Sequence, residues 1–320
     1  MKHKPLGAEG MSVAILVTIA LGALNFFVFN SNPMKGETGI CLPSPDLWTL
    51  PPIWSASINI GLLLCAGLGL FFLNKTYSVI QTTSTVWPSA FLVLCSSCPW
   101  IFSGLSAGVI MVVINVLSLF VLFDAYKRAN ATQETFLVAT LLSVGTMFQY
   151  GFLFLIPAYL LMLVPLNIFR IKEITSFLLG LFAPYWVAVG MGWIPIENFS
   201  IPQFSTFIQG FTPPTNLIKG LVVIGLTALW SLILALNNAV RLYAGNTRRR
   251  LLNNSVILLG IFTLVAMIVD FNNLTAYLPS FYLAASLQLA NAFALWQIPR
   301  GRMWLSILTV IYIVAFFFTI

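Results

Sequence analysis

The chain has 320 residues, 59% of them apolar and only 7% charged, with a mean hydropathy of +0.97. Soluble domains carry roughly 25% charged residues, so a soluble globular fold is excluded and the solvent for most of this surface must be lipid. The net charge of +7 does not indicate nucleic acid, because the basic residues stand in short clusters at the borders of long apolar stretches, where membrane proteins keep them.

The clusters are Lys2/Lys4, Lys75, Lys127/Arg128, Arg170/Lys172, Arg241 with Arg248–Arg250, and Arg300/Arg302. Basic residues are retained on the cytoplasmic side. If all six clusters lie inside, each gap between them crosses the bilayer an even number of times. A span needs about 20 apolar residues. The first gap holds runs at 11–30 and 55–73, the former reading as a first transmembrane helix and not as a cleaved leader. The second holds 86–103 and 105–123, turning at Ser103–Ser106. The third, 134–169, is tight for two crossings and breaks near Gln149-Tyr150-Gly151, so one of its helices is expected to be short or re-entrant. Runs at 174–192 and 216–238, then 252–270 and 277–297 turning at Asp270–Asn273, and finally 303–320 complete the series.

The predicted fold is therefore an all-α polytopic bundle of about eleven helices, a single membrane domain over 1–320 with the N-terminus inside and the C-terminus outside. Only Lys35 and Lys219 then fall outside. The expected location is the inner membrane of a bacterial-type cell, with several crossings. Two Pro-rich external loops, about 31–54 and 193–215, carry Trp48, Trp54 and Trp193 as interfacial aromatics and Glu37, Asp46 and Glu197 as carboxylates.

The inventory of chemical groups is thin. The lone histidine is His3 in the N-terminal tail, and no nucleotide, haem or zinc motif is present, so ATP hydrolysis, zinc proteolysis and Ser-His-Asp hydrolysis are poor fits and any cofactor is unknown. Asp124 stands three and four residues before Lys127 and Arg128, the spacing of a helix-surface ion pair, and Glu173 beside Lys172 reads the same way. Asp270 differs, since it follows the apolar run Ile261–Val269 with no cation near it in sequence. An ionisable group at such a depth marks a functional site by default. With Asp46 and Glu197 it forms the candidate catalytic set.

Polar residues within the spans are Asn59, Asn115, Gln149, Gln288 and Asn291. They serve either interhelical packing or the lining of a cavity. Gln149 and Gln288, together with Trp48 and Trp54 for stacking on sugar, are the candidate substrate-binding residues. Cys95-Ser96-Ser97-Cys98 has the spacing of a redox pair, but its apolar context predicts buried, inert thiols.

The stretch Gln149-Tyr150-Gly151, Leu155-Ile156-Pro157-Ala158-Tyr159, the basic turn Arg170-Ile171-Lys172-Glu173 and Leu178–Tyr185 resembles an uncharacterised family of polytopic inner-membrane proteins of Bacteroidetes-type bacteria. The layout is also similar, more distantly, to the GT-C glycosyltransferases, many-helix enzymes with an essential carboxylate in the external loop after the first helix. That likeness implies action on a lipid-linked sugar at the outer face, with Asp46 in the carboxylate's place and Glu197 or Asp270 as a second. The competing expectations are a non-catalytic subunit of an envelope assembly or export complex, and a carrier of lipid or neutral solute. Expected partners are membrane lipid and such a complex, with no nucleic acid.

Overall fold

A computed structural model of the chain describes residues 8–29, 39–80, 85–200, 215–243, 246–295 and 301–320. Glu37, Lys35, the N-terminal basic residues with His3, and the centre of the second Pro-rich loop lie outside them. Among the described residues there are eleven α-helices and no strand. They are α1 (Ala8–Leu24), α2 (Pro52–Tyr77), α3 (Val86–Ser96), α4 (Ala107–Asp124), α5 (Thr132–Phe148), α6 (Leu155–Met162), α7 (Ile171–Gly190), α8 (Thr215–Tyr243), α9 (Thr247–Val269), α10 (Leu274–Leu295) and α11 (Gly301–Thr319).

Every predicted run contains one helix, but the lengths are unequal. Six stretches are long and apolar enough to cross a membrane: Gly10–Phe29, Pro52–Tyr77, Ala107–Asp124, Ile171–Gly190, Ile218–Leu242 and Thr247–Val269. The expected short member of the third gap is α6, eight residues long, entered through a 3-10 turn at Tyr150–Phe154. The run 86–103 is broken as well. Its helix stops at Ser96, and a 3-10 turn at Pro99–Phe102 follows, because Pro99 has no N–H to continue the ladder.

Helix ends are satisfied locally. Ser106 Oγ accepts from Val109 N at 3.3 Å and caps α4, and Asn246 Oδ1 accepts from Arg248 N at 2.9 Å and caps α9. At the end of α2, Ser78 takes the left-handed conformation (φ 51°), and Asn74 Oδ1 accepts from Ile80 N. Asn59 pins the turn before α4: its amide donates to Ile101 O at 2.6 Å and its oxygen accepts from Ser106 N.

All eleven residues of α3 are buried, and α10 is buried almost throughout. These two helices pack on each other at the centre of the bundle. Around them stand α1, α2 and α11 against α3, and α4, α8 and α9 against α10. α5 pairs with α7 on one flank, where Gly180 brings α7 onto the Phe136 carbonyl.

Away from their partners the outer helices are apolar. Trp186 and Phe182 on α7 are 82% and 70% exposed, and Val240 and Leu236 on α8 are 76% and 63% exposed. Polar groups instead gather inside. Asn238 donates to Gln288 O, Gln288 donates to Asn253 Oδ1 at 3.1 Å, and Asn291 donates to the same oxygen at 2.8 Å. Asn115 donates to Ser280 at 2.8 Å and accepts from Tyr159. This inversion, apolar outside and hydrogen-bonded polar inside, is what a lipid solvent selects.

Three expectations about local chemistry have outcomes here. Asp124 pairs with Arg128, which also bridges to Glu134. Glu173 departs from the expected surface pair with Lys172. It is buried, with Oε1 3.5 Å from the Ala131 N–H at the start of α5 and Oε2 without a hydrogen-bond partner. Helix α7 turns Glu173 toward α5 because an orphan donor at a helix start offers a better place for a carboxylate than a mobile lysine. Cys95 and Cys98 are free and buried in the main core.

Candidate functional site beneath the two long loops

One end of the bundle gathers the candidate residues. Here α5 ends, α9 ends and α10 begins, and the first loop folds down onto them. Ile40 N donates to Thr146 O and Leu42 N donates to Met147 O at 2.9 Å. The second loop joins it, with Ser200 N donating to Ile40 O at 2.8 Å and Ser200 Oγ to Gly39 O. Cys41, Met147, Ala188 and Ile194 form a small apolar core under this junction. Burial there pushes the Cys41 thiol above its ordinary range, so it is a packing group and not a reactive thiolate.

Asp270 lies directly below. It follows the last turn of α9, its N–H donating to Ala266 O at 2.8 Å, and its side chain is fully buried. Three donors from two segments converge on the carboxylate. Tyr277 Oη donates to Oδ2 at 2.6 Å, Tyr150 Oη donates to Oδ1 at 3.2 Å, and Asn273 Nδ2 lies 3.0 and 3.1 Å from the two oxygens. Asn273 also donates to Tyr150 Oη and accepts from Gln149 Nε2 at 3.4 Å.

The local folding that permits this is specific. The 3-10 turn after α9 brings Asn273 back toward Asp270 three residues earlier, and α10 then carries Tyr277 to the same carboxylate. Gln149 is extended (φ −147°, ψ 113°), which ends α5 and turns Tyr150 inward. Gly151 is required beside it, since a Cβ there would stand 2.9 Å from Tyr277 Oη. The oxygen Gln149 Oε1 is buried with no hydrogen-bond partner in the fold. A buried, unmatched acceptor calls for a partner from outside the fold, either a water or a ligand hydroxyl or amide.

Asp46 sits at the same end but in its own bonds. Its Oδ1 accepts from Ala107 N at 3.1 Å, at the first residue of α4, and its Oδ2 accepts from Ser44 Oγ at 3.1 Å. Next to Ala107, α4 and α10 come into close contact, where Gly108 faces the carbonyls of Thr275 and Ala276. Trp48 stacks edge-on to Phe148 at 6.0 Å, next to Gln149, and its Nε1 donates to Pro43 O.

Of the predicted residues, then, Asp46, Trp48, Gln149 and Asp270 share the loop-bearing end. Glu197 is exposed on a 3-10 turn of the second loop, and Trp54 is exposed on the first turn of α2. Gln288 belongs to the separate amide cluster with Asn238, Asn253 and Asn291. Tyr277 was not identified from the sequence. It lies seven residues beyond Asp270 across a break in the helix, so no single helical period links them.

No group of three or more His, Cys, Asp or Glu side chains suited to a metal occurs among the described residues. The chain matches no protein-family model, no curated protein and no solved structure.

Proposed function

We propose that this is a multi-pass inner-membrane protein of the cell envelope, N-terminus inside and C-terminus outside, that acts on the polar head of a lipid-linked glycan at its outer face. The observation that carries the reading is the Asp270 cluster: a buried carboxylate held by hydroxyl and amide donors, with the unmatched Gln149 oxygen beside it. Sugar hydroxyls are the ligand class that can replace tyrosine hydroxyls on such a carboxylate without bringing in a charge. Asp270 is the base in this reading, and Trp48 provides the stacking surface at the entrance. Asp46 holds the start of α4 in place, and Glu197 meets the acceptor from the loop. The likeness to the GT-C layout points the same way.

The sidedness is tested by reporter fusions after residues 40, 205 and 320, all expected to report from outside. A cytoplasmic signal from the first two overturns the orientation. The activity is tested with Asp46→Asn and Asp270→Asn in cells that depend on the gene. The expected result for Asp270→Asn is normal membrane insertion with a lipid-linked glycan species accumulating. Unchanged glycan profiles in both variants, with the phenotype of gene loss fully complemented, overturn it.

A second reading is a carrier for a neutral polar solute. It is favoured by the amide cluster of α8, α9 and α10, where Asn238 Oδ1 and Asn253 Nδ2 have no hydrogen-bond partner and supply one acceptor and one donor within the bundle.

A further inference from the structure

At the opposite end of the bundle, segments far apart in sequence bring a group of cations together. The guanidinium of Arg248, at the start of α9, lies 5.8 Å from the ring centroids of both Tyr77, at the end of α2, and Tyr126, after α4. Lys127 Nζ lies 5.5 Å from the Tyr126 ring, and Arg249 Nε donates to Ser78 O at 3.2 Å. Lys75 is in the last turn of α2, and Arg250 follows on α9.

Of the acidic groups at this end, Glu173 is buried against the Ala131 N–H and the other two are bridged. Asp124 and Glu134 are both bridged by Arg128. Arg248 and Lys127 are exposed, and the contacts of their charged groups are with aromatic rings instead of carboxylates. The two tyrosine rings hold the Arg248 guanidinium by cation–π contact, and no salt bridge joins it to a carboxylate among the described residues. The patch is positive even after Asp124 and Glu134 are included.

Next to this cluster is an open cavity of about 430 Å³. It is lined on one part by Tyr77, Phe120, Val121 and Leu137 and on another by Gln133 and the Asp124–Arg128–Glu134 bridge. Tyr77 belongs to both features, with one face to Arg248 and a side to the cavity. A cationic fork beside a cavity with an apolar wall at the helix ends matches a molecule that is anionic at one point and apolar beyond it.

We propose that this end of the bundle binds an anionic phospholipid, its phosphate on Arg248, Arg249 and Lys127 and its glycerol and upper acyl chain in the Tyr77–Phe120–Leu137 cavity. The cluster is built for a phosphate because an arginine fork pairs with two phosphate oxygens at once. It is built for a lipid because the patch stands beside an apolar wall at the ends of three helices, α2, α4 and α9, that are long and apolar enough to cross a membrane. Each cation at an anionic membrane surface contributes about 1 kcal/mol, so the loss of two should weaken binding by about thirtyfold. The inference is independent of the glycan reading and of which face of the membrane this end occupies.

The test uses the full chain in phosphatidylcholine nanodiscs containing a minor fraction of phosphatidylglycerol, with bound lipid read by native mass spectrometry after release. The expected result is selective retention of phosphatidylglycerol over phosphatidylcholine. It should fall about thirtyfold in Arg248→Ala/Arg249→Ala and be unaffected in Lys172→Ala. Arg248→Lys preserves the charge but not the fork and is expected to fall in between, which separates recognition from a folding defect. Inorganic phosphate and glycerol phosphate are added as soluble competitors. Displacement only at concentrations far above those of the lipid supports the proposal, whereas displacement at matching concentrations identifies a free-phosphate site and overturns it. No selectivity in the parent chain, or equal retention in all variants, also overturns it.

Discussion

Asp270→Ala is expected to destabilise the fold by about 3 kcal/mol, the largest effect of any single side-chain truncation at the loop-bearing end. The carboxylate is the common acceptor for Tyr277, Tyr150 and Asn273, all buried. Its removal leaves those donors facing an empty space in an apolar interior. A buried polar group without a partner costs about 1–3 kcal/mol. The costs are not fully additive, because Asn273 and Tyr150 remain bonded to each other.

Asp270→Asn is expected to cost only about 1 kcal/mol. Its carbonyl still accepts from Tyr277, and its amide can donate to Tyr150 Oη. Tyr277→Phe removes one donor and should also cost about 1 kcal/mol. Thermal unfolding of the detergent-solubilised chain checks the order Ala, then Asn and Phe. An Asp270→Ala variant as stable as the parent contradicts the described cluster. The separation also has a functional use: Asp270→Asn preserves the fold while removing the base, so loss of glycan processing in that variant reports on chemistry and not on folding.

Gly108→Val is expected to destabilise by about 3 kcal/mol, at the upper end for overpacking. A Cβ at Gly108 would stand 2.5 Å from Thr275 O, 2.9 Å from Ala276 O and 3.1 Å from Ala276 Cα. All three are backbone atoms of α10, so no side chain can rotate away, and α4 must move off the central helix. The shift would also pull Ala107 N away from Asp46 and disturb the carboxylate that holds the start of α4. Gly61→Ala on α2 and Gly225→Ala on α8 are the matched controls, since nothing lies within 4 Å of a Cβ at either position. They are expected to be neutral or stabilising by up to about 1 kcal/mol, the helix-propensity difference between Gly and Ala. A Gly108→Val variant that unfolds with these controls contradicts the close α4–α10 contact.

Both predictions concern residues whose importance is only partly visible in the sequence. Asp270 is noticeable there because a lone acid after the apolar run Ile261–Val269 is costly in lipid and needs a reason. Gly108 is not noticeable, since a glycine in an apolar helix is common and only the arrival of Thr275 at 2.5 Å makes it necessary. Glu173 shows the opposite failure. Its neighbour Lys172 suggests a surface pair, yet the side chain turns inward to the N–H of Ala131, forty-two residues earlier. Arg248 belongs to an ordinary basic cluster in the sequence, and its two tyrosines come from α2 and from the turn after α4.

What the order of residues decides here is set by solvent and by local rules. Long apolar runs, basic punctuation, prolines at breaks and capping residues place eleven helices, because each of these signals acts within one turn or one span. The six long apolar helices follow from the same cause. The contents of the interior follow from contacts across more than a hundred residues, such as Tyr150 with Asp270 and Asn115 with Ser280. Those pairings have no period and no fixed spacing. They exist because a buried polar group must find a partner wherever the packing of α3 and α10 against their neighbours leaves one within reach. That is why Asp270 could be singled out as a lone acid, while the tyrosines that hold it had to be read from the fold.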